Sequence, residues 1–490
     1  MKEAELIIDD RIQVGELDRG IFGSFIEHMG RGVYGGFYDP EHKTSDENGF
    51  RRDVMEAIRK LNISKVRYPG GNFVSGYDWK NGIGQERKSY FDLAWKQIET
   101  NEIGIDEFMR FAEICDFTPI MSVNLGTGSA KSAAELVEYC NGVPGGFWSG
   151  QRENNGHKEP YRIKTWCLGN EMDGDWQLCS LSAHDYAEKA LAAARMMRRV
   201  DPDIELVACG SSNNFISSYP SWDREVLEVL YDEVDYLSVH SYYYTSDEDT
   251  NLMSYLGSYK DFNGILDTIT SVCDYVKAVK RSKKQIKLSV DEWNVWRHYP
   301  GEDGKDLWTV APERLECTYN LLDAVVFASL LTVLINRSDR VGIACLAQLV
   351  NVIAPIRTIP GGEMFLQTIY HPFQAAARHM RGQVLHVEVT GPEVECEKYG
   401  GYRTLVAAVT SNGEQMTVLA VNLDLEEDMR LTVHCNRKLQ MKEWYEVYHP
   451  DIQAKNSFEK PEEVKLVKRE FTDEITLKPH SVSLLVFQIR

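Results

Sequence analysis

The chain has 490 residues, 43% of them apolar and 26% charged, which describes a globular protein of two or three domains with ample material for a large core. Its 54 basic and 74 acidic residues give a net charge of −20. A phosphate binder needs a positive footprint, so nucleic acid and anionic membranes are excluded as partners while neutral ligands, sugars included, stay open.

The N-terminus, MKEAELIIDDRIQV, carries charges where a secretory signal needs an apolar core, so a cytoplasmic protein is expected. ELIIDDRIQV alternates yet precedes the first barrel-like run, so residues 1–18 are expected to join strands from the far end of the chain. From 19 to 375, short apolar runs alternate with helical patterns: IFGSFIE, ISKVRYP, TPIMSVN, IKTWCLG, IELVACG, DYLSVHS, IKLSVDE and VGIACLAQ. Eight near-continuous apolar strands, each followed by a helix or long loop, are what a closed parallel (β/α)8 barrel buried on both faces requires. Helical cues lie at Asp53–Ile58, at Ser182–Val200 with its Ala-rich face, and at Pro312–Ile335 with Pro as the start. The apolar stretch Leu321–Ile335 is interrupted by Asp323 and falls short of the ~20 residues that span a bilayer, so it reads as a buried helix.

The loops SYYYTSDEDTNLMSYLGSYKDF and RHYPGEDGKDLWTVAP, after strands six and seven, are expected to shape a cleft. From 376 to 490 the texture changes to alternating strands, among them QVLHVEVT, RTLVAAVT, QMTVLAVN, MRLTVH, EVKLVKREF and SVSLLVFQI, which predict an antiparallel β-sandwich. The ten cysteines are scattered and none forms C-x-x-C, so neither a disulfide frame nor a zinc site is indicated. No cofactor is implied.

Barrel enzymes assemble their sites at the carboxyl ends of the strands. Here those ends carry Glu27-His28, Arg67 to Asn72, Asn124, Asn170-Glu171, His240 to Tyr242, Asp291 to Asn294 and Gln348. Each alone has a bland reading: Glu27 as a cap, Asn72 as a turn former, His240 as a satisfied core histidine. The Asn-Glu dipeptide is also weak alone, since roughly one is expected by chance in such a chain, and Asn101-Glu102 reads as a loop before a helix. Asn170-Glu171 differs because an apolar strand leads into it and Trp166, Met172 and Trp176 surround it. Glu292 closes a similar run, and two strand-end carboxylates are the minimum equipment for cleaving a glycosidic bond.

The motifs FGSFIEHMGRGVYGG, VRYPGGNFVSGYDW, WCLGNEMDGDWQ, DEWNVW and AQLVNVIAPI, in that order, resemble those of the intracellular α-L-arabinofuranosidases of glycoside hydrolase family fifty-one. The resemblance implies a retaining exo-glycosidase on a (β/α)8 TIM barrel with an all-β, jelly-roll-like sandwich. It would remove terminal α-L-arabinofuranosyl groups from arabinan- or arabinoxylan-derived oligosaccharides. By it, Glu171 matches the general acid/base and Glu292 the nucleophile. Glu27, Asn72, Asn170, Tyr242 and Gln348 match furanose-binding positions, and Trp95 and Trp296 resemble sugar-stacking ones. Asn72, Tyr242 and Arg67 are the expected donors to an ionised Glu292. The family also implies a homo-oligomer, often a hexamer. Asp175 departs from the pattern, which has Pro there. Other retaining barrel glycosidases (β-xylosidase, xylanase, β-galactosidase) share the two-carboxylate arrangement, a non-catalytic sugar-binding barrel is a second alternative, and a metal hydrolase barrel is a third, against which the lack of paired His ligands at the rim argues.

Overall fold

A computed structural model describes residues 1–246, 251–298, 306–471 and 474–490. After a long first strand, β1 (Lys2–Glu16), the eight apolar runs supply β2 (Gly23–Phe25), β3 (Lys65–Tyr68), β4 (Thr118–Val123), β5 (Thr165–Leu168), β6 (Glu205–Ala208), β7 (Tyr236–Thr245), β8 (Lys287–Arg297) and β9 (Val341–Leu346). These eight close into a barrel in sequence order. The pairing is parallel throughout, as between β4 and β5 or β7 and β8. The runs are continuous because both faces are covered: every residue of β5 and of β9 is buried.

Helices α1 (Arg52–Leu61), α2 (Ile105–Cys115), α3 (Ala130–Asn141), α4 (Ala183–Val200), α5 (Ser221–Leu230), α6 (Ser258–Lys280) and α7 (Leu321–Asn336) belong to the connections. Their sequences carry their own punctuation. The Ser182 hydroxyl caps α4 by accepting from the Asp185 N–H, and Tyr186, Ala190, Ala193, Ala194 and Met197 form its buried face.

Three expectations are corrected. Helix α7 begins at Leu321 rather than Pro312, because Asn320 and Asp323 cap it reciprocally: the Asn320 side chain accepts from the Asp323 N–H at 3.1 Å and Asp323 accepts from the Asn320 N–H at 2.9 Å. Strand β7 runs on into the first of the stretches read as loops, to Thr245, and β8 reaches Arg297, the first residue of the other; the two pair as far as Arg297 with Thr245. Beyond them, Leu252–Leu256 and Ser258–Lys280 are helical, while 247–250 and 299–305 of those two stretches lie outside the described residues. The C-terminal sheet, finally, is not wholly antiparallel.

That sheet comprises β10 (Gln383–Thr390), β11 (Leu405–Ser411), β12 (Gln415–Asn422), β13 (Met429–Cys435), β14 (Leu439–Val447), β15 (Leu466–Lys468), β16 (Ile475–Leu477) and β17 (Ser481–Ile489), together with β1. The order is β15-β14-β17-β12-β11-β10-β1-β13-β16. Strand β1 lies inside it, antiparallel to β10 and parallel to β13. One face buries a cluster from Leu6, Leu385, Val409, Val418, Leu431, Trp444 and Leu485. The other face, with Val406, Ala408, Leu419, Val421, Leu484 and Val486, belongs to the core that includes α7 and the barrel. This explains why α7 is buried on every side from Leu321 to Ile335. No described helix is long and apolar enough to cross a membrane, and none of the ten cysteines is joined in a disulfide.

Candidate active site

A cavity of about 290 Å3 opens at the carboxyl ends of the barrel strands. Eight of the nine residues singled out above line it: Glu27, Asn72, Trp95, Glu171, Tyr242, Glu292, Trp296 and Gln348. The ninth, Asn170, lies beneath, 1% exposed, with its amide committed to Arg67 (Nη2 to Oδ1, 2.6 Å) and Asn72 (Nδ2 to Oδ1, 3.2 Å). His28, Asn124 and Asn294 turn to structural partners instead. His28 pairs with Glu99 at 2.9 Å, Asn124 donates to the Tyr77 carbonyl, and Asn294 donates to the Ala347 and Ile353 carbonyls.

Glu292 is held from both sides. Arg67 Nη1 donates to its Oε1 at 2.8 Å and the Tyr242 hydroxyl to its Oε2 at 2.7 Å. Two of the three expected donors are therefore present. Asn72 is not among them; it serves instead as an acceptor, its Oδ1 receiving Asn170 Nδ2 and Gln177 Nε2. Arg67 also lies 3.6 Å from Asp291, buried beside it. Burial would push the Asp291 carboxyl up, yet Arg67, His240 and Ser238 bring it down to about 2.

Glu171 ends a tight exit from β5. Gly169 has φ 87° and Glu171 itself φ 46°, a left-handed conformation uncommon for residues that carry a side chain. Its carboxylate accepts from Trp176 Nε1 at 2.7 Å and contacts His240 Nδ1 at 2.9 Å. His240 faces three carboxylates: Glu171, Asp291 (3.3 Å from Nε2) and Glu292 (3.7 Å from Nδ1). Burial alone would favour the neutral imidazole; Glu292, Asp291 and Glu171 overcome it and hold His240 well above its ordinary pKa. One ligand atom each from Glu171, His240 and Glu292 lies within 4.8 Å of the other two. These are the residues that could hold a metal ion, but a protonated imidazole offers no lone pair, which makes the trio a poor cation site.

Across the cavity, Glu27 is buried, accepting from the Phe73 N–H (2.9 Å), Trp95 Nε1 (2.9 Å) and Gln348 Nε2 (3.1 Å). Burial pushes its carboxyl up to about 8, against those donors and with the help of Glu292. The Gly-Gly of the second motif is required here: a Cβ on Gly70 would stand 2.7 Å from Glu27 Cγ, and one on Gly71 3.0 Å from Glu292 Oε1. Two buried polar atoms of the lining, Gln348 Oε1 and Trp296 Nε1, have no hydrogen-bond partner. One acceptor and one donor thus stand ready for a hydroxyl-rich ligand.

Sequence reasoning missed the parts played by His240 and Asp291. It also took Trp176 only as surroundings, though its indole contacts Glu171 and lines the cavity. Asp175 is exposed, and nothing in the structure explains its presence.

The chain matches the alpha-L-arabinofuranosidase 1 domain over residues 57–261 and the alpha-L-arabinofuranosidase C-terminal domain over residues 291–481. It is 45% identical over 463 residues to intracellular exo-α-(1→5)-L-arabinofuranosidase 1 of Bacillus subtilis, covering 93% of this chain and 92% of that one. Against an exo-α-(1→6)-L-arabinofuranosidase of Bifidobacterium longum the identity is 40% over 481 residues, with 95% and 92% covered. Among solved structures, a family 51 α-L-arabinofuranosidase from Bifidobacterium longum superposes over the whole of both chains with a TM-score of 0.95 at 37% identity. The Thermotoga maritima α-L-arabinofuranosidase in its arabinose complex does so with 0.88 at 31%. With the barrel and its facing carboxylates already in view, identity and coverage of this extent make the chain a member of the family 51 α-L-arabinofuranosidases.

Proposed function

We propose that the protein removes terminal non-reducing α-L-arabinofuranosyl groups from arabinan- or arabinoxylan-derived oligosaccharides, with retention at the anomeric carbon. The observation that carries the reading is the pair of facing carboxylates: oxygens of Glu171 and Glu292 lie within 4.8 Å of each other. Retaining glycosidases need about 5 Å between the two groups, whereas inverting ones need room for a water. Glu292, oriented by Arg67 and Tyr242, attacks the anomeric carbon while Glu171 gives its proton to the leaving oxygen. The resulting glycosyl ester on Glu292 is hydrolysed when Glu171, now a base, takes a proton from water. Glu27, Asn72, Gln348, Trp95 and Trp296 bind the furanose, the two unpartnered atoms of Gln348 and Trp296 receiving its hydroxyls. Asn170 acts from beneath by orienting Asn72.

Relatives named intracellular support action inside the cell. The family resemblance supports a homo-oligomer, a hexamer, which light scattering on the eluting protein reads directly. Relatives with (1→5) and (1→6) in their names leave both linkages as candidate substrates.

A panel of aryl glycosides led by the α-L-arabinofuranoside tests the reading. The expected result is rapid release from that substrate, unaffected by a chelator and lost in Glu292→Ala. Faster hydrolysis of a β-D-xyloside or β-D-galactoside would overturn the sugar assignment.

A further inference from the structure

Strand β7 and the loop after β6 carry a second cavity, of about 390 Å3, on their other side. It shares Asn213, Phe215, Tyr242 and Tyr244 with the first as a common wall. Its size is that of a small-ligand site. The remaining wall mixes aromatic faces, Tyr243 and Tyr399, with polar groups from both halves of the chain, Asn214, Asp261 and Lys398. Asp261 accepts from the Tyr243 hydroxyl at 2.9 Å, and Lys398 offsets its charge, so the lining suits a neutral polar ligand. Ser254, 7% exposed, lines the cavity with a buried hydroxyl that has no partner. A buried hydroxyl without a partner is costly, and a ligand hydroxyl would satisfy it.

The cavity also reaches the neighbourhood of Glu171. His240, which contacts Glu171, is part of its wall. The common wall presents two open rings, Phe215 at 73% and Tyr244 at 51% exposure. The loop bearing Phe215 is pinned at its base, where Asp223 and Asp173 accept from the N–H groups of Ser211 (2.9 Å) and Ser212 (3.0 Å). We propose that this second cavity binds a neutral sugar of the leaving chain, one unit beyond the sugar bonded to the departing arabinofuranosyl group. The proposal rests on the glycosidase reading above.

The test compares an aryl α-L-arabinofuranoside, arabinobiose and arabinotriose in the wild type and in Tyr399→Ala and Asn214→Ala, each checked for an unchanged melting midpoint. The expected result is a kcat/KM several-fold higher for the trisaccharide than the disaccharide, with roughly five- to ten-fold of that advantage lost in Tyr399→Ala. Turnover of the aryl substrate and the disaccharide stays at the wild-type level. Equal kcat/KM for both oligosaccharides, or an advantage that survives both variants, overturns the proposal while leaving the reaction intact. If the aryl substrate is not hydrolysed at all, the reaction assignment fails separately. Calorimetric titration of arabinotriose into wild type and Tyr399→Ala then decides the cavity, equal affinity counting against it.

Discussion

Glu171 and Glu292 approach each other closely yet keep different company, and the difference is what the two proposed roles require. Glu292 is clamped by a cation and a phenol; Glu171 meets an indole N–H and an imidazole. Glu171→Ala is expected to slow poor leaving groups by about 10²- to 10⁴-fold and activated aryl ones far less, with Glu292→Ala silencing both. Equal losses for every leaving group in Glu171→Ala, read from steady-state rates, would assign the acid role elsewhere. Glu27 carries a different signature. Its carboxyl is raised from 4.5 to about 8, so between those values the folded protein holds a proton the unfolded chain has released. Stability then falls as pH rises through that window, and at pH 7 the cost is about 3 kcal/mol. Glu27→Gln is expected to raise the melting midpoint at pH 7, with the gain vanishing below pH 4.5, while KM for the arabinofuranoside rises. Gln348 can accommodate the amide by turning its unpartnered Oε1 toward it. Melting curves at pH 4.5 and 7 check this, and a variant less stable at pH 7 would refute it. The two glutamates were legible in the sequence because each closes an apolar run. His240 and Asp291 were not, because their roles depend on register: His240 lies opposite Glu292 across β7 and β8, which brings Asp291 to Arg67, Ser238 and His240, and no local pattern states that pairing.

At the scale of elements, the apolar runs announced eight strands because a parallel barrel buries both faces. Their ends were harder to place. SYYYT looks like polar loop because its serine, tyrosines and threonine stand together, yet β7 and β8 support each other to Thr245 and Arg297. The start of α7 was misread for a similar reason. Pro312 is a plausible first-turn residue, but the capping pair Asn320 and Asp323 lies further on, where the side chains can reach buried backbone N–H groups. Helix α7 also reaches the site. Phe327 stacks on Trp293, the neighbour of Glu292, with centroids 4.8 Å apart and planes 20° apart. Phe327→Ala is expected to cost about 3–5 kcal/mol, as truncation of a buried aromatic does, and to lower kcat as Trp293 loses its support. Asp323 is as deeply held: it caps α7 and receives Arg297 Nε at 2.8 Å and the Tyr255 hydroxyl at 3.0 Å. Asp323→Ala removes the helix cap together with a carboxylate partner of a buried cation and belongs in the same 3–5 kcal/mol range. Denaturant midpoints measure both, and a loss under 1 kcal/mol in either would contradict the buried-helix account.

At the scale of the whole molecule, the chain's two ends meet in one sheet, and that sheet covers the helix that supports strand β8. Strand β1 has β10 on one side and β13 on the other, so it is an interior strand and its first residues are as structural as any in the barrel. Alternation in ELIIDDRIQV pointed to a strand, but its parallel pairing with β13 and the sheet's single nine-stranded order had no local signal. Interior position makes a sharp contrast between adjacent residues. Leu6 is fully buried in the sheet's apolar cluster, while Ile7, facing the other way, is 42% exposed. Leu6→Ala is expected to cost about 2–5 kcal/mol by removing packed methyl groups, and Ile7→Ala less than about 1 kcal/mol. Because β11 and β12 pack against α7 from the opposite face, loosening the sheet at Leu6 also weakens the cover of that helix. Activity loss on warming is then expected at a lower temperature in Leu6→Ala than in Ile7→Ala. Matching inactivation midpoints for the two variants would mean that sheet and barrel unfold independently, and that the N-terminal strand serves the sheet alone.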